Sequence, residues 1–370
     1  MNYIPALKKS ELPDNSRLVK KVNGKMIVFF NYNNKISALG NTCLHKGGPI
    51  GEGRIYPIEN EMYVECPWHG WQYNIVTGKA PYGFEDQQSV YEIKIENDDV
   101  LISEMPVVKA RPAQHKDYAL NDLRDLQYQT SPDSVNVLGI STTNLNKNIP
   151  RTSTSETALE QALSYAGKEF KANTKLIKLR DIEFRACEGY YSKHERACTW
   201  PCSISEMDPE DGMNDVYRGL VLWADVVLVA TPIRWGNASS LYYKMCERLN
   251  CVQNQITLND KILIRNKVAG FIITGGQDNI QHVAGVMSCF FTDLGFSFPP
   301  FNFVGWSRGW TAEDMEHNVE AFVKSNYIKR SVKELVTNSI NMSLNYKKMD
   351  CSELDSPLPK RKDLSVKQDQ

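Results

Sequence analysis

No stretch of the 370-residue sequence approaches the apolar length needed to cross a bilayer, which argues against a helical membrane span. The opening MNYIPALKKSELPDN lacks the apolar run of a signal peptide, so a cytoplasmic location is expected. Neither sign of charge is in excess, with 43 Lys and Arg against 44 Asp and Glu. That balance leaves no electrostatic footprint for nucleic acid or an anionic membrane surface. Internal repeats are missing, and histidine is scarce, at six residues. Nine cysteines are an odd number for a disulfide framework and read better as metal ligands plus free thiols. What remains, 42% hydrophobic and 24% charged, is globular material long enough for two or three domains.

Two patterns divide the chain. Residues 1–106 alternate apolar and polar side chains, as in RLVKKVNGKMIVFFNYNNKISAL and QSVYEIKIENDDVLISE, with turn residues at Asn23-Gly24 and Asn33-Asn34. A small all-β domain is expected there. Residues 107–132 are polar, bounded by prolines, and read as a linker. From Val135 the compact apolar runs VNVLGI, TKLIKL, ADVVLVATP and KVAGFIITGG read as strands buried on both faces. Amphipathic segments at 155–170, 212–223, 237–251 and 279–295 separate them, so crossover units and an open parallel sheet are expected over 133–310. A C-terminal helix is expected within 311–348, at roughly 312–346, and a disordered tail at 349–370.

The chemistry of the first domain lies in two short stretches. NTCLHKGGPIGEG places Cys43 and His45 in a C-x-H pair, and ECPWHGWQY places Cys66 and His69 three apart between tryptophans. A closed tetrahedral zinc site could use this set of two thiolates and two imidazoles. Structural zinc sites usually pair like ligands, however, and mixed pairs suit two metals better, one on the cysteines and one on the histidines.

With SALGNTCLHKGGPIGEG, VECPWHGWQYNIVTGK and the following Pro81, residues 3–105 resemble the Rieske 2Fe–2S domain, in which histidines replace cysteines on one of the two irons. The resemblance implies Cys43, His45, Cys66 and His69 as cluster ligands. Gly48 and Trp68 stand where members from respiratory membrane complexes carry a second cysteine pair. Trp71 stands where those members place a serine, while Tyr73 keeps a possible phenol donor. Fewer hydrogen bonds to sulfur imply the lower part of the family's range of roughly −150 to +300 mV. The twenty residues between His45 and Cys66 are slightly more than the pattern expects, and a longer hairpin would absorb them.

Rieske domains also precede the iron centres of ring-hydroxylating oxygenases, which need two histidines and a carboxylate. The remaining histidines, His115, His194, His282 and His317, are dispersed and form no such pair on one helix. Residues 133–310 instead resemble the NAD(P)H-dependent FMN reductase branch of the flavodoxin-like fold. Three loops carry that resemblance. GISTTNLNKNIPRTSTSETAL leads into a helix whose start would bind the FMN phosphate, with Arg151 and the hydroxyls of Ser153, Thr154, Ser155 and Thr157. In ATPIRWGNASSLYYKMCERL, residues Thr231, Pro232, Ile233, Gly236 and Asn237 would lie along the isoalloxazine edge, with Trp235 walling the ring. Arg234 stands there where an aromatic residue is common. In ITGGQDNIQH, Gly275 and Gly276 would let the backbone approach a planar ligand. Each loop alone is an ordinary strand-to-helix turn. Three of them after successive parallel strands point to a ligand beyond the carboxyl ends of the sheet.

No G-x-G-x-x-G follows a strand, so a separate Rossmann domain is not expected, and NADH and NADPH are not distinguished. Cys187, Cys198 and Cys202, near His194, do not meet the tight four-cysteine motif of the iron–sulfur flavoproteins and read as buried or reactive thiols, with a second metal or cluster as the lesser alternative. Cys246, Cys251 and Cys289 read as core residues of helices. The two resemblances imply a chain that moves electrons between NAD(P)H, FMN and a 2Fe–2S cluster, with an external protein or small molecule as acceptor and a homo-oligomeric state. An electron carrier or redox sensor without nicotinamide turnover, or a quinone or nitro-compound reductase fed by the cluster, are the alternatives.

Overall fold

A computed structural model describes residues 2–81, 84–112, 134–145, 152–208, 210–275, 279–308 and 317–348. The chain forms two compact units, one of residues 1–117 with 189–198, the other of residues 118–188 with 199–370. The expected tail, 349–370, lies outside the described residues, as does most of the expected linker. The start of that linker is laid on the first unit, where Val108 bridges to Val90 and Arg111 to Gln87.

The first unit is all-β. Strands β1 (Tyr3–Lys8), β10 (Asp99–Ser103) and β9 (Ile93–Glu96) form one antiparallel sheet, while β2 (Ser16–Val22), β3 (Lys25–Tyr32), β4 (Lys35–Gly40) and β8 (Val90–Tyr91) form a second. Their inward positions bury Leu7, Ile27, Phe29, Val100 and Ile102 in one core. Alternation makes this possible, because residues two apart share a face. A third sheet, β5 (Ile55–Ile58), β6 (Glu61–Glu65) and β7 (Gln72–Asn74), presents the Cys66–His69 loop between β6 and β7. The extra length between His45 and Cys66 is taken up by the turn Ile50–Glu52 and the β5–β6 hairpin.

The second unit is a five-stranded parallel sheet, β11 (Asn136–Ser141), β12 (Asn173–Lys178), β13 (Val226–Pro232), β14 (Val268–Gly275) and β15 (Phe303–Ser307), in the order β12-β11-β13-β14-β15. This is the flavodoxin-like order, whose switch point lies between the first and third strands. Strands β11 and β13 are buried along their whole length, as their Val, Ile and Leu runs require. TKLIKL departs from the expectation: β12 is the sheet edge and half of it is exposed. The short, glycine-interrupted β15 is not signalled by an apolar run.

The helices Thr154–Phe170 and Asn326–Lys348 share one face of the sheet, packing Ala158, Leu159 and Ala162 with Val332, Leu335 and Val336 over Val137 and Leu228. The single long helix expected at 312–346 is two helices, Asn318–Lys324 and Asn326–Lys348, broken at Ser325, whose backbone is extended. The Ser325 hydroxyl accepts from the Ile328 amide, so a cap restarts the second helix there. Residues 212–223 form a short helix, Met213–Tyr217, running into a π turn, Arg218–Trp223. The segment expected at 237–251 is likewise two helices, Ser240–Arg248 and Asn250–Asn259. Cys289 is exposed rather than a core residue, because the helix Ile280–Leu294 turns Val283, Met287 and Phe291 inward instead. No helix among the described residues is long and apolar enough to cross a membrane.

Candidate functional site

In the first unit each ligand loop is closed by its own backbone. Cys43 N–H donates to Gly48 and Gly47 N–H returns to Cys43, while Cys66 N–H donates to Trp71 and Gly70 N–H to Cys66. These turns bring Cys43 and Cys66 together, both buried, and set the His45 and His69 rings edge to face at 4.7 Å between centroids. Among the described residues no three His, Cys, Asp or Glu side chains converge as ligands of one ion. A two-iron cluster needs a thiolate pair and an imidazole pair, and those are the pairs present.

The electrostatics suit metal. A hydrogen bond from the Cys43 thiol, amides of Trp68 and His69 and the charge of Lys193 hold Cys66 below the ordinary thiol range, against its burial. Cys43 is pushed up by its bond to Cys66 and by burial. His69 Nε2 lies 2.8 Å from the Ala197 carbonyl. A carbonyl can only accept, so Nε2 carries the proton and Nδ1 keeps the lone pair a metal requires. The Tyr73 hydroxyl lies 3.6 Å from Cys43 Sγ and accepts from the Leu44 amide, so its proton is directed at the sulfur. Trp71 stacks on His45 at 4.2 Å and donates to Asp86 at 3.2 Å. Close packing explains Gly48 as well, since a Cβ there would stand 2.7 Å from Cys66 Sγ. The site fits a cluster held by Cys43, His45, Cys66 and His69.

In the second unit the loops after β11, β13 and β14 sit side by side, because their strands are neighbours. The Ser239 hydroxyl donates to the Thr142 carbonyl at 2.6 Å, joining the first two loops. Ile233 N–H donates to Thr274 at 2.7 Å and Asn279 donates to the Gly236 carbonyl, joining the second to the third. Gly275 is required by this contact, since its Cβ would meet Ile233 at 2.8 Å. At the start of the 17-residue helix, the hydroxyls of Thr143, Ser153 and Ser155 lie within 3.1 Å of one another, and Ser153 caps the helix through the Glu156 amide. Hydroxyls gathered at a helix N-terminus suit a phosphate. The acidic Glu156 beside them is neutralised by Arg180 and Lys178, at 2.7 and 2.8 Å. Their bonds outweigh its burial and hold its carboxyl below the usual range.

Of the residues expected at the flavin, Ser153, Thr154, Ser155, Thr157, Thr231, Pro232, Ile233, Arg234, Trp235, Gly236, Asn237 and Gly275 all fall on this crest or its helix. Arg151 and Gly276 lie outside the described residues. Trp235 is 95% exposed with φ of +52°, a conformation that costs a non-glycine residue about 1–2 kcal/mol. Thr142, Thr143, Ser239 and Asn279 join the crest without having been singled out. The signal for two of them was the hydroxyl pair directly after a buried strand. The donor set fits FMN.

A family model described as the Rieske [2Fe-2S] domain matches residues 2–92, and one described as NADPH-dependent FMN reductase matches residues 136–311. The ferredoxin component of the naphthalene 1,2-dioxygenase/salicylate 5-hydroxylase systems of a Ralstonia species is 30% identical over 102 residues, 27% of this chain and 94% of that protein. The 8-demethyl-8-aminoriboflavin-5'-phosphate synthase of Streptomyces davaonensis is 34% identical over 77 residues, 21% of this chain, which spans only 30% of the synthase. A solved structure of RosB with bound 8-demethyl-8-formylriboflavin-5'-phosphate aligns over 57% of this chain and 79% of that one, with 22% identity and a TM-score of 0.45. The chain therefore belongs to the Rieske family in its first part, followed by a domain that matches the NADPH-dependent FMN reductase model, a fusion whose two domains imply a 2Fe–2S cluster, FMN and NAD(P)H.

Proposed function

We propose that the chain is an NAD(P)H-dependent oxidoreductase that converts two-electron donation into single-electron delivery to an external acceptor, in the cytoplasm. Bound FMN accepts a hydride and can release electrons singly, and the 2Fe–2S cluster carries one at a time. The observation that carries this reading is the presence on one chain of both a cluster-ligand set and a flavin crest. The name of the Ralstonia relative, a ferredoxin component, supports an electron-transfer role for the first unit.

The chain's own residues position and tune. Ser153, Ser155 and Thr143 offer hydroxyl donors to a phosphate at the helix start, and the crest from Thr231 to Asn237 offers backbone groups to the ring. No acid or base is required, because hydride transfer proceeds from orientation. In anaerobic stopped-flow, NADH or NADPH should bleach the flavin and then the cluster. Bleaching by neither nucleotide would end this reading.

Two smaller effects follow. Ser153→Ala should weaken FMN binding about tenfold or more, since hydrogen bonds to charged groups are worth about 1.5–3 kcal/mol. Ser153→Asp keeps a helix cap but repels phosphate, so fluorescence titration should find it weaker still. Tyr73→Phe removes the proton directed at Cys43. At about 0.5–1.5 kcal/mol for one hydrogen bond, the midpoint potential should fall by about 20–60 mV. A dye-equilibrated redox titration reads that shift directly.

A further inference from the structure

A cysteine buried among apolar groups is inert, because burial disfavours the thiolate. Cys246 follows that rule: burial pushes its thiol up to about 12. Cys202, in the same unit, departs from it. Its sulfur accepts a hydrogen bond from the Cys251 thiol, and the Arg248 charge and the Ile204 amide add to that bond, so that Cys202 is held down to about 5 against its burial. Two sulfurs distant in sequence are thus in contact within one unit, one of them charged.

The chain geometry sets this up. Cys202 is the extended residue before the short helix Ser203–Met207, and Cys251 lies in the first turn of Asn250–Asn259. Arg248, at the end of Ser240–Arg248, is fixed on Asp211 and Ser205, so its charge stays beside the sulfurs. The Cys251 sulfur lies 3.5 Å from the Arg248 carbonyl and 3.8 Å from the Tyr217 hydroxyl. That phenol keeps its own proton, since burial and then the charges of the two sulfurs push it well above its ordinary range. Access separates the two thiols: Cys202 is 9% exposed and Cys251 1%. The charged sulfur is therefore also the one nearer to solvent, and only a very small reagent can reach it.

We propose that Cys202 and Cys251 are a peroxide-reactive dithiol, with Cys202 the nucleophile and Cys251 the resolving thiol, which closes to a disulfide inside the second unit. The Cys202 thiolate attacks one oxygen of hydrogen peroxide. An S–O bond forms, the O–O bond breaks, and the departing hydroxide takes a proton from solvent to leave as water. The Cys251 sulfur then attacks Cys202 and forms the S–S bond, while the sulfenic hydroxyl leaves with the Cys251 proton as a second water. Each sulfur loses one electron and each peroxide oxygen gains one. Neither flavin nor cluster takes part, so the inference stands apart from the electron-converting reading.

The test treats full-length holoprotein with one equivalent of hydrogen peroxide, quenches with catalase, alkylates under denaturing conditions and maps the peptides by mass. The Cys202 and Cys251 peptides should be recovered joined and two hydrogens lighter, and dithiothreitol should part them. Thiolate character should make Cys202 react about tenfold or more faster than the exposed Cys289, while Cys246 stays reduced. In Cys251→Ser the reaction should stop at a sulfenic acid on Cys202, trapped by dimedone, and in Cys202→Ser the Cys251 thiol should survive. Oxidation of Cys202 no faster than of Cys289, or a Cys202 joined to Cys198 in place of Cys251, overturns the proposal. Both are read on the wild-type chain, so a variant that fails to fold does not obscure the result.

Discussion

A Gly48→Ala variant should purify with its flavin and without its cluster. The added methyl would stand 2.7 Å from Cys66 Sγ and 2.9 Å from two ring atoms of Trp68. Neither neighbour can give way. Cys66 is 1% exposed and its loop is closed by the bond to Trp71, while Trp68 is wedged against His194. Overpacking of this kind costs about 1–3 kcal/mol, and here it falls on a sulfur that must bind iron. Cluster content should fall about tenfold or more, read as iron and acid-labile sulfide per chain and as the loss of the reduced-state EPR signal. Gly47→Ala supplies the contrast. Its φ of +85° strains any side chain, but nothing lies within 4 Å of its Cβ. That variant should lose about 1 kcal/mol and keep its cluster. Full iron content in Gly48→Ala would show that the ligand loops are looser than their packing indicates.

The contrast between those two glycines also marks what could be read from the sequence. CLHKGGP showed two adjacent glycines beside a metal pair, and nothing in the letters says that one serves a turn and the other a sulfur. The pairing of Cys43 with Cys66 and of His45 with His69 in space was legible because mixed C-x-H and C-x-x-H spacing is chemically specific. The parallel sheet was legible because strands buried on both faces must be runs of Val, Ile and Leu, as in VVLVATP. β15 was not, since FVGWS is short and interrupted by glycine. Of the two tryptophans of ECPWHGWQY, Trp68 stands in the place of a bridging cysteine and Trp71 in that of a serine, and the letters do not say that their rings stack, Trp71 on His45 and Trp68 on His194. The excursion at 189–198 was invisible for a general reason. Short turns carry no amphipathic period, so their sequence does not say which unit they pack on.

Arg248 is the residue whose role differs most from its place in the motif. It follows Glu247 in the stretch that resembles the flavin loop, yet its side chain is wholly buried in an ion pair with Asp211. The guanidinium makes a double contact with Asp211, also wholly buried, and donates to the Ser205 hydroxyl at 2.7 Å and the Arg185 carbonyl at 2.8 Å. Tyr217 in turn donates to the Arg248 carbonyl at 2.6 Å. The pair thus ties Arg185, Ser205 and Asp211 to the end of the helix Ser240–Arg248, all within the second unit. Arg248→Met leaves a buried carboxylate without its cation, which costs about 3–5 kcal/mol. A large fraction of a typical domain's stability goes with it. Urea unfolding should show the loss in the second unit, while the fraction still folded binds FMN normally. Weakened FMN binding with unchanged stability would instead place Arg248 at the flavin. The same variant should change the pH dependence. A hydrogen bond from Cys251, then the Arg248 charge, hold the Cys202 thiol down to about 5 against its burial. An unfolded thiol titrates near about 8.5, so between those values the unfolded chain binds more protons and stability rises with pH. The contribution is complete above the unfolded value and is lost as pH falls through about 5. Removing the Arg248 charge raises the folded thiol and narrows that window. The slope of unfolding free energy against pH should therefore flatten in Arg248→Met, and in Cys202→Ser this thiol's contribution should vanish altogether.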